Sequence, residues 1–168
     1  MNYKQHIRDV LDFPKQGVNF KDITTLIQKP DVFQSCIDEL ALLVQDADVI
    51  LGLDARGFLF AGALAYKLNK PLIIVRKAGK LPYKTISIDY ELEYGTNTFE
   101  LNIDAIKSGE KVAIIDDLLA TGWTAQAACE LVKKLGWEIS SINCVVGLSF
   151  LVGEDLLKDY TVNCLVRY

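Results

Sequence analysis

Two adjacent carboxylates, Asp116 and Asp117, follow a short apolar run and precede a loop of small residues at 120–122. The apolar run at 112–115 predicts a buried strand, and the residues after the loop have helical periodicity. The order is therefore strand, acidic turn, small-residue loop and helix. A helix N-terminus offers free backbone N–H groups and a positive dipole end to a phosphate. Carboxylates accept hydrogen bonds from vicinal hydroxyls or hold a hydrated Mg²⁺. The stretch predicts a site for a sugar phosphate.

Two other loops complement this one. The apolar runs at 49–53 and 72–75 predict buried strands with a helical segment between them, which indicates a βαβ unit with parallel strands. Ligands bind at the carboxyl ends of the strands in such sheets. The loops expected there are 54–57, with an aspartate and an arginine, the basic cluster at 76–80, and 116–124. A substrate with phosphates at two places and a diol between them would use all three loops.

The rest of the chain predicts an α/β protein in which strands and helices alternate around a parallel sheet. Residues 4–12 have the pattern of a short amphipathic helix, and a longer helix is expected from Pro30. Residues 76–97 lack a continuous apolar pattern, which is typical of a mobile lid or a disordered segment. Residues 139–146 and 162–166 predict two more strands, and the second has the alternation of an edge strand.

Length and composition favour one domain that spans the chain. The 168 residues are 51% hydrophobic, and a net charge of −4 without long basic runs argues against a nucleic-acid binder. The sequence has no signal-peptide core and no apolar run near the ~20 residues of a membrane span. We therefore expect a soluble, cytoplasmic protein. Buried free thiols are expected for the four widely spaced cysteines, Cys36, Cys129, Cys144 and Cys164.

The stretch IIDDLLATGWTAQAA at 114–128 resembles the phosphoribosyl-pyrophosphate (PRPP) motif of type I phosphoribosyltransferases. Further segments are similar to the members of that family that act on adenine, and they occur in the same order. The resemblance covers roughly residues 10–150. The segments are DFPK at 12–15, FKDIT at 20–24, GLDARGF at 52–58, VRK at 75–77, GKLP at 79–82 and YELEYG at 90–95.

The resemblance implies a type I phosphoribosyltransferase fold, in which helices flank a central parallel β-sheet. A base-binding segment at about 1–30 and a flexible hood at about 79–97 would complete it. The implied reaction transfers the 5-phosphoribosyl group of PRPP to adenine and gives AMP and pyrophosphate, a step of purine salvage. The implied cofactor is Mg²⁺, bound mainly through PRPP rather than by protein ligands. The resemblance also implies a homodimer, and the charge and hydropathy described above predict no nucleic-acid or membrane partner.

The resemblance assigns roles to individual residues. The catalytic residues are expected to be Glu93, as general acid/base for the purine, and Arg56, near the base. Asp116 and Asp117 are expected to bind the ribose 2′ and 3′ hydroxyls. In similar enzymes the loop at 54–56 often contains a cis non-proline peptide. The expected adenine-binding residues are Asn19, Phe20, Lys21 and Leu148, with Phe20 and Leu148 on opposite faces of the ring. The expected PRPP-binding residues are Asp54, Ala55, Arg56, Arg76, Lys77, Lys80, Tyr94, Asp116, Asp117, Ala120, Thr121, Gly122, Trp123 and Thr124.

Three single positions and one hood segment, residues 82–84, depart from the usual pattern of the family. Trp123 stands where glycine is usual, and positive φ there would be costly for tryptophan. Lys21 replaces a frequent arginine, and Gly147 replaces an acidic residue often found before Leu148. Two alternatives stay open, and the changes near the base and the hood bear on the first of them. One is a phosphoribosyltransferase for hypoxanthine, guanine or xanthine. The other is a non-catalytic PRPP-sensing regulator, although such proteins commonly add a DNA-binding domain or a basic surface.

Overall fold

The computed structural model describes residues 1–91, 95–105, 107 and 109–168. Within those residues, seven strands form a main sheet and two more form a small sheet near the N-terminus. The small sheet consists of β1 (Arg8–Leu11) and β2 (Asn19–Asp22). The main sheet consists of β3 (Val49–Leu53), β4 (Leu72–Lys77), β5 (Thr85–Glu91), β6 (Thr96–Asn102), β7 (Lys111–Leu119), β8 (Glu138–Gly147) and β9 (Val162–Arg167).

The main sheet is mostly parallel, with the strand order β5-β6-β4-β3-β7-β8-β9. Strand β3 lies parallel to β4 and β7, and β8 lies parallel to β7 and β9. Strand β6 is antiparallel to both β4 and β5. All five residues of β3 are buried, as expected for a strand covered on both faces. The predicted parallel sheet and the predicted edge strand near the C-terminus are confirmed.

Helices cover both faces of the main sheet. They are α1 (Thr24–Ile27), α2 (Pro30–Leu43), α3 (Gly57–Leu68) and α4 (Trp123–Lys134), with 3₁₀ turns at Tyr3–His6, Ser149–Leu151 and Gly153–Leu157. Alternate residues of β7 pack on opposite faces of the sheet. Ala113 and Ile115 lie in the core cluster that contains α2 and α3. Val112 and Ile114 lie in the core cluster that contains α4. The described helices include none with the length and apolar character that crossing a bilayer requires.

The helix predicted for residues 4–12 is wrong. The structure has a short 3₁₀ turn there, followed by β1, which pairs antiparallel with β2. Of the apolar residues that suggested a helix face, Leu11 is 73% exposed and Val10 is only partly buried, so that face does not exist. Pairing with β2 satisfies the backbone of this segment, and this long-range contact decides its structure.

Residues 85–91 correct a second expectation, because they form strand β5 rather than an irregular lid segment. The strand pairs along its whole length with β6. Ile86, Ile88 and Tyr90 pack toward the α4 side of the core, while the residues between them are exposed. This two-residue alternation is the pattern of a half-buried strand. Residues 92–94 of the predicted hood lie outside the described part of the chain.

Candidate active site

The two carboxylates lie in the last part of β7, which continues to Leu119, and not in a turn after it as the sequence predicted. The backbone N–H of Asp117 donates a hydrogen bond to Asp116 Oδ1 at 2.8 Å. The Asp117 side chain is 7% exposed, and its Oδ2 lies 2.7 Å from Nη2 of Arg56, the residue that precedes α3. The central strand therefore presents two acceptor groups next to a fixed cation.

Both carboxyl groups are less acidic than an exposed aspartate. Burial raises the pKa of Asp116, and the neighbouring charge of Asp117 raises it further. Burial also raises the pKa of Asp117, although the Arg56 guanidinium works in the opposite direction. Removing a carboxylate from water disfavours its ionised form, and a like charge nearby adds to that cost. A ligand that donates hydrogen bonds to these oxygens lowers the free-energy cost of ionising the buried carboxyl groups.

Asp116→Asn is expected to stabilise the ligand-free protein at neutral pH. A carboxyl group whose pKa is raised by folding contributes stability below its unfolded pKa of about 3.9, and loses that contribution as pH rises through its folded pKa. The raised pKa therefore means that Asp116 lowers the stability of the fold at pH 7, and asparagine removes this effect. In thermal unfolding between about pH 4 and pH 8, the variant should gain on the wild type as pH rises. Parallel Tm curves for the two proteins would contradict this account.

The loop at 120–124 joins β7 to α4. Gly122 has a φ of 84°, and the helix begins at the next residue, Trp123. The conformation that favours glycine is therefore needed at Gly122, while Trp123 starts the helix and leaves its side chain 37% exposed. Tryptophan at this position costs no backbone strain. The loop borders a cavity of about 60 Å³ that is lined by Asp116, Leu118, Leu119, Ala120, Thr121, Gly122, Thr124, Ala125 and Cys144.

Gly153 packs closely against the backbone of the 120–124 loop, and no pattern in the sequence indicates this contact. A Cβ on Gly153 would collide with the Ala120 carbonyl oxygen and would lie 2.8 Å from the Gly122 nitrogen. These are backbone atoms, so the loop would have to move.

Gly153→Ala is expected to lower the free energy of unfolding by about 1–3 kcal/mol, the usual cost of overpacking. Gly62→Ala is the matched control, because nothing lies within 4 Å of a Cβ at that helical position. Alanine is favoured over glycine inside a helix, so the control should not lose stability. Urea unfolding of both variants measures the difference, and equal stabilities would contradict the close packing.

The loop after β3 and the end of β4 meet through an ion pair. Arg76 Nε donates to Asp54 Oδ2 at 3.0 Å, and the Asp54 side chain is 10% exposed. The peptide bond between Asp54 and Ala55 is cis, as the resemblance implies. Lys77 and Lys80 are both exposed. The structure thus brings Arg76 to the Asp54 loop and leaves the two lysines at the surface beside it.

The N-terminal sheet brings an aromatic ring to the carboxylates. Phe20 in β2 lies edge-on to Phe13, with ring centroids 5.2 Å apart, and the Arg56 guanidinium lies 5.2 Å from the Phe20 centroid. Arg56 therefore connects Phe20 with Asp117. The Lys21 side chain is buried in an ion pair with Asp9, with its ammonium 4.1 Å from the Tyr168 ring centroid.

The remaining predicted residues fall into three groups. Asn19 is exposed at the start of β2, next to Phe20. Leu148 follows β8 and donates its backbone N–H to the Leu119 carbonyl at 2.9 Å. It lines a cavity of about 230 Å³ that shares Leu119 and Ala120 with the smaller loop cavity. Glu93 and Tyr94 lie outside the described residues, so their roles stay predictions. The sequence reasoning passed over Tyr90, although the alternation from Ile86 to Tyr90 could have placed it on the buried face of a strand.

The fold and the three loops define a phosphoribosyltransferase, and the comparison with known families agrees. The chain belongs to the phosphoribosyl transferase domain family, which matches residues 23–166. The predicted type I phosphoribosyltransferase fold is confirmed.

Individual relatives are adenine phosphoribosyltransferases. The enzyme of Caldicellulosiruptor bescii is 52% identical, with 100% of this chain and 97% of the relative covered. That of Acetivibrio thermocellus is 50% identical with full coverage of both chains. Among solved structures, the Thermoanaerobacter pseudethanolicus enzyme matches with a TM-score of 0.94 at 44% identity, covering 98% of this chain and 97% of its own. The Saccharomyces cerevisiae enzyme, solved with an imino-altritol bisphosphate and adenine, matches with a TM-score of 0.93 at 38% identity, covering 97% and 96%.

Proposed function

We propose that this chain catalyses the adenine phosphoribosyltransferase reaction (EC 2.4.2.7), in which PRPP and adenine give AMP and pyrophosphate for purine salvage. The observation that carries the proposal is identity at about half of all positions, over the whole chain, with adenine phosphoribosyltransferases. The site agrees with it, because buried acceptors, a helix N-terminus and a group of cations lie at the ends of neighbouring parallel strands.

In the proposed complex, PRPP lies in one orientation. Asp116 and Asp117 accept hydrogen bonds from the ribose 2′ and 3′ hydroxyls, which adds donors to these buried carboxylates. The 5′-phosphate lies on the 120–124 loop, where the backbone N–H groups of the first turn of α4 and the Thr121 and Thr124 hydroxyls donate to it. The pyrophosphate lies on the other side of the ribose, toward Asp54, Ala55 and Arg76.

The departing pyrophosphate determines what the cations do. Breaking the bond at ribose C1 leaves negative charge on the pyrophosphate and positive charge on the sugar ring. The negative charge on the pyrophosphate is stabilised by Arg76, Lys77 and Lys80. The positive charge on the sugar ring is stabilised by the carboxylates of β7. The Asp54 carboxylate keeps Arg76 in place through the bond at 3.0 Å.

Adenine binds between the N-terminal sheet and the sugar site. The ring stacks on Phe20, with Leu148 on its other face, while Asn19 and Lys21 offer backbone groups beside it. Arg56 contacts the base and holds Asp117, so one guanidinium aligns the base with the ribose. N9 of adenine attacks C1 and must lose a proton, which Glu93 accepts. The hood, including Tyr94, excludes water that would otherwise hydrolyse PRPP.

Mg²⁺ accompanies PRPP in this proposal. Among the described residues, no three His, Cys, Asp or Glu side chains are placed together to hold a metal. Phosphate oxygens are hard ligands that Mg²⁺ prefers, and it commonly binds through substrate phosphates with few protein ligands. When bound with PRPP, Mg²⁺ would neutralise charge on the pyrophosphate, while Asp116 and Asp117 would accept hydrogen bonds from the ribose hydroxyls.

The direct test incubates the protein with PRPP, adenine and Mg²⁺ and follows AMP by chromatography and pyrophosphate by a coupled assay. Stoichiometric AMP and pyrophosphate are expected, with both lost when Mg²⁺ is chelated. PRPP binding without turnover of any purine would instead support the regulator alternative. Turnover with a 6-oxopurine in place of adenine would support a phosphoribosyltransferase for hypoxanthine, guanine or xanthine.

The proposal includes a homodimer in the cytoplasm. The outer face of α3 carries Leu59 and Tyr66, which are 48% and 91% exposed. An apolar face of this kind is typical of a covered surface. The cysteines of the described chain are all free thiols, which fits a reducing compartment. Sedimentation should give a dimer, and Tyr66→Arg should shift it toward monomer; a monomeric wild type would contradict the homodimer.

A further inference from the structure

Tyr168 follows β9 and lies beside the proposed adenine site, although none of the roles above includes it. Strands β7, β8 and β9 are parallel, so Tyr168 lies at the end of the sheet where β7 and β8 have their carboxyl ends. Ligands bind at that end of such sheets. The Tyr168 side chain is partly buried and packs against the same core cluster as Leu148.

The main chain of Tyr168 binds the residues on both sides of Leu148. The Tyr168 N–H donates a hydrogen bond to the Gly147 carbonyl at 3.0 Å. The Ser149 N–H donates to the main-chain oxygen of Tyr168, also at 3.0 Å. Leu148 lies between these two residues, and its own N–H is bound by the Leu119 carbonyl. Backbone hydrogen bonds therefore fix the residue that is proposed to cover one face of adenine.

The ring of Tyr168 contacts the N-terminal sheet. The Lys21 ammonium lies 4.1 Å from the ring centroid, and the Lys4 ammonium lies 4.8 Å from it. Both distances are within the ~6 Å at which the face of an aromatic ring attracts a cation. Lys21 is 7% exposed and also forms the ion pair with Asp9. Because this ammonium is largely removed from water, the ring stabilises it more strongly than it would at the surface.

Lys21 lies behind the residue that is proposed to stack on adenine. Successive side chains of a strand point to opposite faces, so Phe20 and Lys21 lie on opposite sides of β2. On one side, the Phe20 ring contacts Phe13 and the Arg56 guanidinium. On the other side, the Lys21 ammonium contacts Tyr168. A displacement of Lys21 would therefore move the β2 backbone, and Phe20 with it.

We propose that Tyr168 is a positioning residue for adenine, because it connects the two walls of the base site. Its main chain fixes Leu148 on one side, and its ring fixes β2, with Phe20, on the other. The tyrosine thereby sets the separation of the two surfaces between which the planar base lies. This inference rests on the proposed function and adds to it a residue that acts on the base through Lys21 and Leu148.

The first test is Tyr168→Leu, which removes the aromatic face but keeps the main-chain hydrogen bonds and an apolar side chain in the core. KM for adenine should rise about fivefold, because a loosened β2 must be ordered when the base binds. Kd for PRPP, measured by calorimetry, should equal that of the wild type, since the PRPP loops are not held by this ring. Tyr168→Phe keeps the ring and should restore the wild-type KM for adenine.

Tyr160→Leu is the matched control for a merely structural effect. Tyr160 precedes β9, so it lies at the end of that strand away from the site. Its ring is also partly buried and lies 4.8 Å from the Lys133 ammonium. The control therefore loses a contact of the same kind. Its Tm should fall about as much as that of Tyr168→Leu, while its KM for adenine should equal that of the wild type.

A double-mutant cycle tests the path through Lys21. Lys21→Met removes the ammonium and keeps an unbranched side chain, and it should also raise KM for adenine. Because Tyr168 acts on β2 through Lys21, adding Tyr168→Leu to Lys21→Met should raise that KM by less than about twofold.

The outcomes separate this inference from the proposed function. A wild-type KM for adenine in Tyr168→Leu, with an active wild type, overturns the role of Tyr168 alone. Equal rises in Tyr168→Leu and Tyr160→Leu overturn it too, because lost stability would then explain both. Effects that multiply in the double variant overturn the path through Lys21. A wild type that makes no AMP from adenine and PRPP overturns the proposed function, and this inference with it.

Discussion

Asp117→Asn is expected to lower kcat/KM for PRPP by about 100-fold. The carboxylate accepts hydrogen bonds from a ribose hydroxyl and faces positive charge on the ring during the reaction. Hydrogen bonds to charged groups contribute about 1.5–3 kcal/mol, and each 1.4 kcal/mol is a factor of ten. In the wild type, Arg56 Nη2 lies 2.7 Å from Asp117 Oδ2, and the variant removes the negative charge of this buried partner. Initial rates over a range of PRPP concentrations measure the change.

The matched control is Asp38→Asn. Asp38 is paired with Lys67 at 2.9 Å, but its side chain is 49% exposed and lies on α2, away from the strand ends. Its kinetics should equal those of the wild type. An Asp117→Asn enzyme with normal kcat/KM and normal thermal stability would remove the carboxylate pair from the mechanism.

Arg56→Ala is expected to be at least as damaging, with a loss of about 100-fold or more in kcat/KM for both substrates. The guanidinium lies on Phe20 and on Asp117, so truncation loosens the base site and leaves a buried carboxylate without its cation. Breaking a partly buried pair from one side costs more than the pair itself contributes. Lysine should restore activity only in part, because it cannot present the planar, forked donor.

A double variant separates the two contributions of Arg56. If Arg56 acts mainly through Asp117, then adding Arg56→Ala to Asp117→Asn should lower kcat/KM far less than Arg56→Ala does in the wild type.

Lys67→Ala, which breaks an exposed surface pair, should leave all kinetic constants unchanged. Full activity of Arg56→Ala with both substrates would contradict the bridging role that its contacts indicate.

Local patterns predicted the elements that carry the sugar-phosphate site. The apolar runs, the carboxylates and the small-residue loop lie in one continuous stretch, so β7, the loop and α4 could be recognised from neighbours in sequence. What the stretch did not reveal is that β7 continues through both carboxylates to Leu119. Pairing with β8 extends the strand, and Asp116 and Leu118 both have register partners there.

Long-range pairing explains the other differences. Residues 8–11 became a strand because β2 lies beside them, and no local pattern reports that partner. Strand β5 has an alternation of apolar and polar residues. The Gly, Pro and charged residues around it made the whole segment resemble an irregular loop. The contact of Arg56 with Asp117 joins residues that are 61 positions apart in the sequence. Spacing along the chain cannot predict such contacts.

Base preference tests the central claim most directly. PRPP-dependent turnover should be measured with adenine, hypoxanthine, guanine and xanthine under identical conditions with Mg²⁺. The account predicts AMP and pyrophosphate from adenine, with kcat/KM at least about 100-fold above that of each 6-oxopurine, since buried polar groups left unpaired by the wrong base discriminate strongly. Preference for a 6-oxopurine, or no turnover of any of the four bases, would contradict it.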